Sequence, residues 1–187
     1  MNTNLLASLK NDSHLAMEQI YHNHWETVFD TAFKKLGDED LAQDLTQEIF
    51  ISLWENRKQL SIESNLQAYL YGAVKYKVIN HYRSAALKEK QKSALALLMN
   101  EEATPAPDAK LILNELNLEV EAAIALLPEK MRMVFSMSRK QEKSIKEIAA
   151  ELDISAQTVK NQITAAMKLL KKSLSYTAFI AILIGLS

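Results

Sequence analysis

The stretch from Lys143 to Met167 constrains the fold most, because it carries start and stop signals for two short helices joined by a tight corner. Ser144 and Glu147 have the spacing of a capping box, in which the Ser side chain accepts from one free N–H and the Glu from another. Ser155 is a good N-cap for the second helix. This is the pattern of a helix-turn-helix, whose second helix can enter a DNA major groove. The predicted apolar faces are Ile145, Ile148, Ala149 and Leu152 in the first helix, and Val159, Ile163, Ala166 and Leu170 in the second.

The opposite face of the second helix decides between a DNA reader and an ordinary helical hairpin. Gln157, Lys160, Asn161 and Thr164 share that face at helical spacing. Amide side chains can pair with adenine edges, and Lys can bind guanine or phosphate. No acidic residue lies between Ser155 and Tyr176. The sequence favours a duplex-reading helix, with a solvated helix of an ordinary bundle as the alternative.

Composition favours an all-α protein, and a chain of 187 residues can form either one medium domain or two small ones. Three Gly and three Pro in 187 residues leave long stretches without helix breakers. The chain has no Cys, which excludes disulfides and thiol chemistry. The first ten residues lack a basic segment followed by a long apolar core, so we predict no signal peptide and a cytoplasmic location.

The charges are strongly segregated although the net charge is only −1. Residues 67–92 have six basic and one acidic side chain, and residues 128–187 have ten and five, so each block is +5. Residues 37–66 (two basic, seven acidic) and 93–127 (one and six) are each −5. Two basic blocks predict two contacts with a polyanion, and the acidic blocks predict a surface for another partner.

In the N-terminal part, residues 13–36 are predicted to form one long amphipathic helix or a broken pair, and residues 38–56 a second helix. The second buries Leu41, Leu45, Ile49 and Leu53 and turns outward a face of Asp44, Gln47, Glu48, Ile51 and Glu55. That face is either a solvated acidic surface or a protein-docking surface. An enzyme using these carboxylates would need an acid–base partner or a metal, and the sequence offers neither, because His22 and His24 are too poorly spaced for a metal site. We therefore predict no catalytic residue, no metal and no cofactor.

A third helix is predicted over residues 65–83, where Tyr69, Tyr71, Tyr76 and Tyr82 alternate with basic side chains. Aromatic rings stack on unpaired bases while cations hold phosphates, a combination that suits single-stranded nucleic acid. Tyrosines at helical spacing can equally belong to a core. Both readings stay open from composition alone.

Four motifs in order resemble those of bacterial sigma factors of the sigma-70 family, most closely the small extracytoplasmic-function group. They are DLTQEIFISLW (44–54), YLYGAVK (69–75), INHYR (79–83) and LPEKMRMVF (127–135), followed by the helix-turn-helix. Two positions depart from the family pattern. Tyr76 replaces the usual Asn, and Asp153 replaces the Gly common at the corner, where Asp tolerates a left-handed backbone better than most residues.

The resemblance implies a transcription initiation factor without catalytic activity, which binds core RNA polymerase, melts the −10 promoter element and reads the −35 element. It implies the polymerase β′ clamp helices and β flap, promoter DNA and an anti-sigma factor, possibly membrane-bound, as partners. It assigns polymerase contacts to Asp44, Gln47, Glu48 and Trp54, and −10 contacts to Leu60, Ser61, Asn65, Tyr76, Lys77, Asn80 and Arg83. The −35 contacts would be Ser155, Gln157, Thr158, Lys160, Asn161, Thr164 and Lys168.

The implied domains are a region 2 domain over residues 1–87, a linker over 88–114, a region 4 domain over 115–176 and an apolar tail over 177–187. Residues 101–108 contain two prolines and are expected to be extended. The tail is about half the roughly 20 residues that span a bilayer. It can fold back on a domain or contact a partner or membrane surface. A conventional helix-turn-helix regulator that does not associate with core polymerase is the alternative for the whole chain.

Overall fold

Helix signals in the sequence coincide with helix ends in the structure, a computed structural model that describes residues 2–60, 65–86 and 107–185. Every regular element within these ranges is an α-helix, as predicted. The helices are α1 (Asn2–Lys10), α2 (His14–Leu36), α3 (Glu39–Glu55), α4 (Leu66–Ala86), α5 (Pro107–Ala125), α6 (Glu129–Arg139), α7 (Ile145–Leu152), α8 (Ala156–Ser173) and α9 (Tyr176–Ile184).

Side-chain caps fix the bounds of the first long helices. Ser13 Oγ accepts from the Ala16 N–H at 3.2 Å and starts α2. Gly37 ends α2 in the left-handed conformation, with φ 67°, which glycine adopts without steric cost. Asp38 then caps α3 by accepting from the Leu41 N–H at 3.0 Å. The predicted helices 13–36 and 38–56 are thus confirmed to within one residue at each end.

The chain divides into two compact units, and the first is Met1–Val78. In it α2 packs against α1 and α3. Tertiary burial of one apolar stripe per helix supplies most of the stability of such elements. The buried side chains include Leu9, Ile20, Phe33, Leu45, Ile49, Leu53, Leu66, Leu70 and Val74.

The second unit is Ile79–Ser187, so the last turns of α4 belong to it. Here α8 packs against α6 and α7, while α9 packs against α5 and α8. The predicted apolar face of α8 is buried in full, since Val159, Ile163, Ala166 and Leu170 are each at most 1% exposed.

The apolar tail folds back on the protein, which is one of the arrangements predicted for it. Every residue from Ala178 to Leu183 is at most 3% exposed. Within the described ranges no helix combines the length and the apolar character needed to cross a membrane.

The proline-bearing segment differs from the prediction at its end. Pro107 and Asp108 were expected to be extended, but they form the first turn of α5. Proline is favoured at that place because its fixed φ suits a helix and its missing N–H would have no helical partner. The predicted linker therefore gives way to helix from Pro107 onward, and its residues 88–106 lie outside the described ranges.

Candidate nucleic-acid interface

The helix-turn-helix is built almost entirely by local capping. Glu147 Oε2 accepts from the Ser144 N–H and from Ser144 Oγ, both at 2.7 Å, and the Glu147 N–H donates to Ser144 Oγ at 3.2 Å. The predicted capping box is confirmed. Asp153 occupies the left-handed region with φ 50° and ψ 48°, and the Ile154 N–H donates to the Ala149 carbonyl at 3.0 Å. This is a Schellman-type end, so the corner keeps its shape without glycine, as expected.

The outward face of α8 presents a preset pair of amides. Gln157 Nε2 donates to Asn161 Oδ1 at 3.1 Å, and both side chains are exposed. This bond does not use the side-chain N–H group of Asn161 as a donor or the side-chain carbonyl of Gln157 as an acceptor. These two groups therefore form a neighbouring donor and acceptor. Adenine offers the matching acceptor and donor in the major groove. The arrangement can therefore read a base edge with little loss of side-chain entropy.

Two of the remaining predicted −35 residues cap α8, and the other three lie further along the helix. Ser155 Oγ accepts from the Thr158 N–H at 3.0 Å and lies 2.8 Å from Thr158 Oγ1, so this pair forms the start of α8. Lys160 and Thr164 are half-buried and Lys168 is exposed. A helix N-terminus with exposed hydroxyls and a lysine row suits phosphate contact.

The predicted −10 residues of α4 lie along its second half. Tyr76 is 61% exposed, Arg83 is exposed and Asn80 is half-buried. Lys77 Nζ lies 2.7 Å from Glu48 Oε2 on α3. A predicted DNA contact is thereby paired with a predicted polymerase contact. Local sequence patterns could not predict this ion pair, because the two residues are 29 positions apart.

The residues before α4 show that one predicted contact also has a structural role. Asn65 Oδ1 accepts from the Gln67 N–H at 2.9 Å and from the Ala68 N–H at 3.4 Å, so Asn65 caps α4. Its amide N–H group is not used by these bonds. Leu60 is 9% exposed, so its side chain is not presented to a ligand. Ser61 lies outside the described residues.

The tyrosines of α4 divide between the two readings that the sequence left open. Tyr71 and Tyr76 are 47% and 61% exposed, whereas Tyr82 is 7% exposed. The Tyr82 ring meets the Phe179 ring edge-on at 5.3 Å. One tyrosine is therefore core, and two are accessible for stacking.

The outward face of α3 has the predicted composition. Asp44, Gln47 and Glu48 are exposed around Ile51, which is 56% exposed. Trp54 is only half-buried, and its ring lies 4.6 Å from the His14 ring and 4.0 Å from the Arg57 guanidinium. This face combines carboxylates with an accessible aliphatic side chain, which suits a protein partner with basic and apolar groups.

A groove between α2 and α4 was missed by the sequence reasoning. It has a volume of about 450 Å³, and its walls include His24, Thr27 and Thr31 from α2, Tyr71 from α4 and Asn65, which caps α4. Burial lowers the pKa of His24. Residues so far apart in the chain carry no common sequence signal, so only packing reveals this groove.

The chain is similar to known protein families, to curated relatives and to solved structures. The family model described as sigma-70 region 2 matches residues 20–87, and the model described as sigma-70, region 4 matches residues 117–170. The extracytoplasmic-function (ECF) RNA polymerase sigma factor SigL of Mycobacterium tuberculosis is 25% identical over 159 residues, covering 84% of this chain and 88% of its own. The ECF RNA polymerase sigma factor SigW of Bacillus subtilis is 25% identical over 167 residues, covering 85% and 89%. Among solved structures, CnrH in complex with the cytosolic domain of CnrY is 18% identical with a TM-score of 0.41, covering 90% of this chain and 93% of that chain.

The two family models together match most of the chain, in the same order as the two units of the structure. The chain belongs to the sigma-70 family of RNA polymerase sigma factors, in the extracytoplasmic-function group. As a sigma factor, it directs RNA polymerase to promoters.

Proposed function

We propose that this sigma factor uses two separate DNA-contact surfaces and one polymerase-contact surface. The face of α8 with Gln157 and Asn161 reads the −35 element as duplex. The second half of α4, with Tyr76, Lys77, Asn80 and Arg83, holds the opened −10 strand. The outward face of α3, with Asp44, Gln47 and Glu48, docks on core polymerase at the β′ clamp helices. An anti-sigma factor that masks these surfaces is the further partner.

This proposal rests on the difference between the buried side and the outward side of α8. Its inner side is fully buried in a helix-turn-helix, while its outer side holds two amides in a fixed donor–acceptor arrangement. Such a side has no packing role, and its chemistry matches a base edge in the major groove. The region 4 match at residues 117–170 supports the same reading.

The α4 surface supports a different nucleic-acid contact. Tyr71 and Tyr76 expose rings for stacking, and Lys75, Lys77 and Arg83 supply positive charge along the same helix. Stacking contributes about 1–3 kcal/mol per base and tolerates different sequences. A base leaves the duplex stack at a cost of a few kcal/mol, which such contacts offset.

The test compares two glutamines of α8. Gln157→Ala removes an exposed amide from the reading face of α8. Gln162→Ala removes the same group from a half-buried position beside that face. We expect Gln157→Ala to weaken binding of the holoenzyme to −35 duplex DNA about tenfold, equivalent to about 1.4 kcal/mol, and Gln162→Ala to change it little. Equal effects of both variants would rule out a specific reading face.

A second pair of variants separates polymerase binding from DNA binding. Gln47→Ala with Glu48→Ala should weaken association with core polymerase, while Gln157→Ala should leave it intact. Gln43→Ala, an exposed amide at the margin of the same α3 face, is the matched control. A conventional regulator would show no association with core polymerase in any of these forms.

A further inference from the structure

Gly72 lies in the interior of α4, where a glycine weakens a helix. Glycine loses more backbone freedom on folding than alanine does, so it is a poor helix former. The other two glycines of the chain, Gly37 and Gly185, each end a helix with a positive φ, of 67° and 93°. Gly72 has the ordinary backbone of a helix instead, so its conformation does not require glycine.

Packing within the described part of the chain does not require this glycine either. Gly72 is exposed, and a Cβ atom added to it would meet no atom within 4 Å beyond its chain neighbours and the adjoining backbone of α4. Glycine is also used where another molecule must approach the backbone closely. The bare backbone at Gly72 therefore remains open to a group from outside these residues.

Two tyrosines flank Gly72 on the same side of α4. Tyr69 precedes it by three residues and Tyr76 follows it by four, the spacings at which residues are neighbours on a helix surface. Tyr69 is half-buried and Tyr76 is 61% exposed. The two tyrosines are about 10 Å apart along the helix axis. Two van der Waals contacts of about 3.5–4 Å fit within that length, so it accommodates one flat ring.

The charge of α4 indicates which kind of ring this is. From residue 65 to residue 86 the chain has three Lys or Arg side chains and no acidic one. Two of them, Lys75 and Lys77, stand on either side of Tyr76 in the sequence. Cations that hold phosphates, together with tyrosines that stack on bases, are the features of a site for unpaired nucleic acid. The flat ring that suits this space is therefore a nucleobase.

We infer that Gly72 seats one unpaired base of the opened −10 strand, which lies on the bare backbone of α4 between the side chains of Tyr69 and Tyr76. The inference rests on the proposed function of α4 and adds to it the position at which a base touches the helix. Any side chain at position 72 would occupy the space that the base needs. The seat accepts any of the four bases, because stacking on tyrosine has little sequence preference.

Substitutions at Gly72 should change stability and DNA binding in opposite directions. Gly72→Ala should raise the midpoint of thermal unfolding by about 1–4 °C, because alanine is the better helix former. The same variant should weaken binding of the holoenzyme to single-stranded DNA from the −10 element of a promoter that it transcribes, about threefold, and Gly72→Leu about tenfold. Fluorescence anisotropy of the labelled strand measures both. The matched control is Gln67→Leu, which adds the same side chain at an exposed position on another side of α4 and should leave binding unchanged.

Strands that lack one base at a time show whether the group over Gly72 is a base. On one such strand the wild-type protein and Gly72→Leu should bind equally, because the base that the leucine excludes is absent. On the other strands the difference of about tenfold should remain. A difference that persists on every abasic strand would overturn the inference, as would equal binding of the two proteins to the intact strand.

The same measurements distinguish failure of this inference from failure of the proposed function. If the wild-type holoenzyme does not bind the intact strand, the proposed function of α4 is wrong, and the seat at Gly72 with it. If Gly72→Leu loses affinity for core polymerase while Gln67→Leu keeps it, a protein surface occupies the space over Gly72. That result would overturn the inference alone.

Discussion

The helix-turn-helix and α4 are both proposed to bind DNA, but they obtain their shape in different ways. The helix-turn-helix fixes its bounds with near neighbours, since Ser144 bonds Glu147 and Asp153 closes the corner. In α4 a proposed contact residue depends on a distant group, because Lys77 pairs with Glu48, 29 positions earlier in the chain. A duplex reader needs a rigid, preset surface, whereas a surface that receives an opened strand can be held by contacts that are released on binding. The following variants test this difference.

The largest effect is expected in the core beneath the reading face. Ile163 is 1% exposed, so Ile163→Ala should lower the free energy of unfolding of the second unit by about 2–5 kcal/mol, through lost burial and a residual cavity. Leu169→Ala, at a position 45% exposed on the same helix, should cost at most about 0.5 kcal/mol. Urea denaturation followed by circular dichroism measures both. A similar loss of unfolding free energy in the two variants would show that α8 does not bury Ile163 and expose Leu169 as described.

An intermediate effect should separate capping from DNA contact at Asn65. Asn65→Ala removes the cap of α4 and should cost about 0.5–2 kcal/mol of stability. Asn65→Asp keeps the capping oxygen at a position where negative charge is favoured, so stability should be retained. Its lost N–H group and added charge should nevertheless weaken binding to single-stranded −10 DNA, measured by fluorescence anisotropy. Full retention of DNA binding by Asn65→Asp would mean that Asn65 caps α4 and does not contact DNA.

The smallest effect concerns the ion pair between α3 and α4. Glu48→Gln should lower stability by at most about 1 kcal/mol, because the pair is largely exposed to solvent. The same change leaves the charge of Lys77 without this carboxylate, so single-stranded DNA should bind about two- to threefold more tightly at low salt, and the gain should shrink as salt rises. Asp44→Asn removes an equal charge one turn away on the same face and is the matched control. Equal gains in both variants would indicate a general charge effect rather than release of Lys77.

Much of this organisation could be predicted from the sequence, because helix starts and stops are short-range events. Ser13, Gly37, Asp38 and the capping box act within four residues of the backbone groups they satisfy. The apolar stripe of α8 and the outward face of α3 follow from a period of 3.6 residues. The segment at Pro107 was predicted wrongly, because a proline favours a helix start as readily as an extended linker.

The choice between core and surface for the tyrosines of α4 could not be predicted. Spacing assigns Tyr76 and Tyr82 to a helix, but only the presence of α9 buries Tyr82 and leaves Tyr76 exposed. The pairing of Lys77 with Glu48 and the groove beside His24 depend in the same way on which helices become neighbours.

By itself, then, the sequence determined the helices, their caps, their apolar faces and the order of motifs that marks a sigma factor. Those properties are set by interactions between residues a few positions apart. Only the tertiary structure decided that the apolar tail becomes a buried helix and that it meets the end of α4 through Tyr82. Tyr176 and Tyr82 are 94 positions apart, and a contact of that separation depends on how all the intervening apolar faces find cover from water.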